Sequence, residues 1–143
     1  MGSFADFRIQ KDIENLCVTV SRKQLVGKVF CFELNINTDL YQNKYKFEVI
    51  FSEKYPFQSP RVYCRTPTFH PNIYNESVCL KILRLGWLPS YDLNSIVTGV
   101  IEMFEDFSIE DPFNTDAADL YRQNIQLFKT KIKDVERGHE NGL

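Results

Sequence analysis

The sequence predicts an α+β domain on three observations: a helical period near the N-terminus, a period of two in the middle, and helical periods after a proline-rich interval. Ile9, Ile13 and Leu16 recur at i, i+4 and i+7, so 7–16 reads as a short amphipathic helix, and 1–6 as a tag or a disordered N-terminus. Phe30, Phe32, Leu34 and Ile36 alternate with Val29, Cys31, Glu33 and Asn35. Tyr45, Phe47, Val49 and Phe51 alternate again after the polar turn at 38–44, as antiparallel strands with one face on a core do. Val62-Tyr63-Cys64 is a further strand, beyond a segment where Pro56 and Pro60 exclude regular structure. Asp92 is placed to cap a helix with Leu93, Ile96, Val97, Val100, Ile101 and Phe104 on one face. Asn114 is placed to cap one last helix, with Ala118, Tyr121, Ile125, Phe128, Ile132 and Val135 spaced alternately three and four apart. With 43% hydrophobic and 14% aromatic residues, 143 residues can form one domain, 1–143, with its own core.

A net charge of −2 lacks the basic footprint of a nucleic-acid binder, and no apolar run reaches the roughly 20 residues of a membrane helix. Neither partner is expected. The four cysteines, Cys17, Cys31, Cys64 and Cys79, are irregularly spaced, which argues against a disulfide framework. Cys64, His70 and Cys79 also lack zinc-ligand spacing, so no metal is expected.

The interval 67–89 has no clear period and holds Pro67, Pro71, Pro89, the single Trp87, His70 and Cys79. Its Phe69, Ile73, Val78, Leu80, Ile82 and Leu83 are too apolar for disorder, so it reads as a packed, shaped loop and the prime site candidate.

His70-Pro71-Asn72, Val78-Cys79-Leu80, Trp87 and Pro89 together resemble the active-site signature of ubiquitin-conjugating enzymes. Tyr55-Pro56-Phe57 with Pro60 looks like that family's Y-P-F-x-x-P segment, and 109–114 resembles its acidic-proline turn. Within the family, Arg8–Ile13, Asn94–Val97 with Gly99, and Glu110–Asn114 leading to Ala117-Ala118 are most similar to the neddylation branch, which conjugates the cullin modifier. The resemblance implies a single UBC-type domain: an N-terminal helix, a four-stranded antiparallel meander, a structured active-site loop and C-terminal helices. There are three departures. The interval from Asn72 to Cys79 is one residue shorter than usual and lacks a Gly, Lys81 stands where many relatives have Asp or Asn, and few residues precede Arg8, where the branch bears an extension that docks on its activating enzyme.

The resemblance implies that Cys79 carries a ubiquitin-like modifier as a thioester, which a thiol suits because its thiolate is nucleophilic and its thioester stays activated. It assigns Asn72 to the oxyanion, although Asn72 also reads as a residue that only holds the loop. It assigns Asp111 to orienting the incoming lysine, against the plainer reading of a turn Asp before Pro112. His70, Pro71, Leu80 and Trp87 are expected to support the loop; a Cys79/His70 dyad is the competing arrangement. Arg8, Lys11, Phe57 and Pro89 fall on the family's docking surface for ligase and activating enzyme, or are respectively solvated charges and satellite core contacts. The acidic run from Asp92 to Asp119, with no Lys or Arg, reads either as solvated helix faces or as an acidic surface near a lysine-accepting site. The implied partners are a ubiquitin-like modifier, an activating enzyme, a RING-type ligase and a cullin-type target; the implied setting is a monomer in cytoplasm and nucleus. No cofactor is implied, since the activating enzyme uses the ATP. The alternatives are a conjugating enzyme for ubiquitin itself and a non-catalytic scaffold of the same fold.

Overall fold

The computed structural model describes residues 2–107 and 109–140. In chain order these form α1 (Phe4–Glu14), β1 (Ser21–Val26), β2 (Val29–Asn37), β3 (Gln42–Ile50), β4 (Arg61–Cys64), β5 (Ile73–Tyr74), β6 (Ser77–Val78), α2 (Lys81–Arg84), α3 (Leu93–Glu105), α4 (Thr115–Gln123) and α5 (Ile125–Glu140). β1 to β4 are the expected antiparallel meander, but β6 and β5 continue it, in the order β1-β2-β3-β4-β6-β5. The added pair lies inside the interval that the sequence leaves as a loop.

The period-2 residues sort as alternation demands: Phe30, Phe32, Leu34 and Ile36 of β2 and Tyr45, Phe47 and Val49 of β3 all point into the core. Leu93, Ile96, Val97, Val100 and Phe104 of α3 are buried in the same core, with Phe128 and Ile132 of α5 and Ala5 and Ile9 of α1. α3 starts at Asp92 through a reciprocal capping box with Ser95, which fixes where the helix leaves the loop.

Two expectations need correction. The first helix begins earlier than residue 7: the Ser3 hydroxyl accepts from the Asp6 N–H at 3.2 Å and the Asp6 carboxylate from the Ser3 N–H at 3.1 Å, so α1 begins at Phe4. Nor is the C-terminal helix continuous. Asn124 is extended (φ −157°, ψ 93°) and divides it into α4 and α5. Its N–H closes α4 on Leu120, and its side chain accepts from the Leu127 N–H at 3.1 Å to open α5.

Candidate active site

The site is built outward from His70, whose side chain is fully buried. Tyr41, Phe104 and Phe107 surround its ring, with centroids at 5.0 to 5.3 Å. Its Nδ1 accepts from the Asn72 N–H at 2.9 Å, so Nε2 carries the proton and donates to the Met103 carbonyl at 2.9 Å. Burial pushes its pKa down to about 3, and the ring is neutral at ordinary pH. With both nitrogens committed, His70 has no free position from which to serve Cys79 as a base. It supports the loop by tying the turn at 70–72 to the C-terminal end of α3.

From this turn the chain runs through the hairpin β5–β6 to Cys79. The register Ile73↔Val78 and Tyr74↔Ser77 leaves two turn residues, Asn75 and Glu76, both left-handed at φ 49° and 68°. The shortened interval is thus taken up by a tight two-residue turn. Cys79 follows β6 and donates its N–H to the Asn72 carbonyl at 2.9 Å, which brings the two expected catalytic residues together. Leu80 is buried against α3, where a Cβ at Gly99 would meet its methyl groups at 3.7 and 3.9 Å. α2 then begins at Lys81.

Cys79 opens onto a groove of about 420 Å³ between this loop and α3. Asn72, Lys81, Arg84, Glu102 and Asp106 also line it, so part of the acidic run does face Cys79. Asp116 and Asp119 are instead exposed on α4. Both main-chain groups of Asn72 are occupied, whereas its side-chain amide makes no hydrogen bond among the described residues. That amide is therefore available to a ligand, and its backbone holds the loop. Cys79 Sγ has no hydrogen-bonded base among the described residues. Of the other thiols, Cys64 is buried, with its pKa pushed up to about 12 by burial, and burial also raises that of the half-buried Cys31. Cys17 is exposed against Asn94, away from the groove.

Asp111 is 81% exposed and its carboxylate is paired with Arg84, the last residue of α2; Arg84 Nη1 also donates to the Asp111 carbonyl at 2.8 Å. Three residues on, the Asn114 N–H reaches the Pro71 carbonyl at 2.8 Å and its side chain the Ile73 carbonyl at 3.0 Å. The acidic-proline turn is thus fastened to the loop on both sides of Cys79. Sequence reasoning gave Arg84 no role and Asn114 only its cap; a capping residue reveals nothing of what its remaining donors reach.

The expected docking residues lie together but differ in state. Phe57 is 71% exposed and stacks on Phe4 at 5.9 Å. Lys11 is exposed beside Glu14, and Pro89 is exposed. Arg8 is committed internally. Its Nε pairs with Asp12 at 2.7 Å, Nη1 donates to the Pro89 carbonyl at 2.9 Å and Nη2 to the Tyr91 carbonyl. Trp87 donates Nε1–H to the Pro56 carbonyl at 2.6 Å and so joins the two proline-bearing loops.

A thiol displayed in a groove, with no base hydrogen-bonded to it among the described residues, suits an acyl carrier better than a Cys/His hydrolase. The fold and this site together define a conjugating-type α+β domain. The ubiquitin-conjugating enzyme family model matches residues 8–136, and the chain belongs to that family, transferases that work through a thioester. It is 35% identical to the NEDD8-conjugating enzyme Ubc12 of Arabidopsis thaliana, over 95% of this chain and 78% of that one. It is 37% identical to the Nedd8-conjugating enzyme UbcE2M of Drosophila melanogaster, over 96% and 80%. Among solved structures, S. cerevisiae Ubc12 superposes with a TM-score of 0.75 at 30% identity, covering 92% of this chain and 76% of that one.

Proposed function

We propose that the chain is a neddylation-type conjugating enzyme, which takes the NEDD8-like cullin modifier from an activating enzyme onto Cys79 and passes it to a lysine of a cullin-type target with a RING-type ligase. The observation that carries this reading is similarity to NEDD8-conjugating enzymes of 35% and 37% over nearly the whole chain, with Cys79 open to the groove that it shares with Asn72. In the first step the Cys79 thiolate attacks the activating enzyme's thioester; a new S–C bond forms and the activating enzyme's thiolate leaves. In the second, a lysine amine attacks that carbonyl, the C–S bond breaks, and the Cys79 thiolate leaves as the isopeptide bond forms. The free side-chain amide of Asn72 supports a role as donor to the tetrahedral oxyanion; losing one such donor typically costs about 100- to 1000-fold. A free lysine, with a pKa near 10.4, arrives as an ammonium, and the exposed Asp111 carboxylate orients it and assists its loss of a proton.

The test is charging in vitro with ATP and the cognate activating enzyme, supplying the cullin modifier or ubiquitin in parallel. A reducer-sensitive adduct with the cullin modifier alone is expected, and Cys79→Ser should convert it to a reducer-resistant ester. Charging with ubiquitin alone overturns the branch. A reducer-sensitive adduct on Cys79→Ala overturns the nucleophile.

A further inference from the structure

We infer that Arg84 is a positioning residue for amine attack: its guanidinium grips the main chain and the carboxylate of Asp111 together and fixes that carboxylate at the flank of Cys79. The inference rests on the proposed role of Asp111 and adds what makes that role possible. An exposed carboxylate on an irregular turn samples several rotamers unless something holds it. Here the hold has two points, the Asp111 carbonyl and Oδ2, which a planar guanidinium fork engages at once and a lysine ammonium does not.

The origin of the grip is fixed relative to the nucleophile. The Arg84 N–H bonds to the Leu80 carbonyl at 3.0 Å, so a single helical turn spans from the neighbour of Cys79 to Arg84. Arg84 also lines the groove with Cys79. On the far side, the Asn114 contacts to Pro71 and Ile73 tie the same turn to the start of the hairpin that leads to Cys79. The grip leaves Asp111 usable. Arg84 occupies Oδ2, while Oδ1 has no partner among the described residues, and a carboxylate accepts through both oxygens. An incoming ammonium can therefore bind Oδ1 without displacing Arg84.

The test separates aminolysis from hydrolysis. Thioester-charged wild type, Arg84→Ala, Arg84→Lys, Asp111→Ala and Arg84→Ala/Asp111→Ala are each followed in single turnover, with free lysine and with water alone. Arg84→Ala is expected to lose about 10- to 100-fold in discharge to lysine, up to the cost of a group misplaced by about 1 Å, with unchanged charging and unchanged hydrolysis. Arg84→Lys should not restore the rate, and the double variant should match Asp111→Ala alone. Lysine discharge at the wild-type rate in Arg84→Ala, with Asp111→Ala slow, overturns the positioning role alone. So does an equal fall in hydrolysis and aminolysis, or losses that multiply in the double variant. Asp111→Ala discharging at the wild-type rate overturns the reading of Asp111, and the inference with it.

Discussion

His70 makes the domain's stability depend on pH below about 6.5. Its pKa falls from 6.5 to about 3 on folding because the ring is fully buried. Between those values the unfolded chain binds a proton that the folded chain does not. Stability is therefore fully present above pH 6.5 and is lost as pH falls toward 3. Well inside that window each unit costs about 1.4 kcal/mol, so going from pH 7.5 to 4.5 removes about 3 kcal/mol. The assay is urea unfolding of wild type and His70→Asn at pH 7.5 and 4.5. The variant should be less stable at pH 7.5, since it loses the aromatic packing, but its stability should vary with pH by about 3 kcal/mol less than that of wild type. An equal pH dependence in the two proteins refutes the argument. If His70→Asn does not fold, the ring resonances of wild type decide instead: no titration from pH 8 to 5 is expected for His70, and a midpoint near 6.5 refutes the burial argument.

Two further predictions concern stability elsewhere. Glu136 of α5 is a buried carboxylate that accepts from Tyr45 at 2.8 Å, Thr68 at 2.6 Å and Asn43 at 3.2 Å. Glu136→Ala strands these donors and should lower the unfolding free energy by about 2 to 4 kcal/mol, whereas Glu136→Gln, which keeps an acceptor, should cost less; an alanine effect under about 0.5 kcal/mol refutes this. Glu76 sits at φ 68° in the hairpin turn and pairs at 3.5 Å with Arg65. Glu76→Gly should raise the denaturation midpoint, with a gain of up to about 1 kcal/mol less the small value of an exposed ion pair, while Glu76→Ala should lower it; a glycine variant no more stable than the alanine variant refutes the strain argument.

What the sequence made legible follows burial. β2 and β3 announce themselves because every second residue enters the core, and α3 because its apolar stripe faces that core. β1 is exposed along its whole length and makes its contacts through backbone pairing with β2, so it leaves no period to read. The α4–α5 break is hidden for the opposite reason, since the three-and-four spacing continues through Asn124. Cys79 and Asn72 stand out through their motif, and a hydrogen bond between their main chains brings them together. Arg84 was not: its partner lies 27 residues away on a turn whose path depends on where Asn114 fastens.

Arg8 shows how a basic residue on a helix surface is committed within the fold. A basic residue on an exposed helix invites assignment to a partner, yet Asp12 at i+4 offered an internal ion pair all along. Asp12 is 4% exposed, so breaking its pairing with Arg8 leaves a buried charge and costs more than losing a surface pair would. Its second oxygen bonds the Tyr55 hydroxyl. Arg8 carries the same network to the carbonyls of Pro89 and Tyr91, and Trp87 returns it to Pro56 beside Tyr55. α1 and the two loops are thereby one hydrogen-bonded unit, on whose surface Phe4, Phe57, Leu85 and Leu88 stay exposed. Exposed apolar side chains contribute little burial with which to hold their own backbone in place. The buried polar contacts beneath them hold the shape of this surface, and Arg8, which joins α1 to both carbonyls of the loop, is central to them.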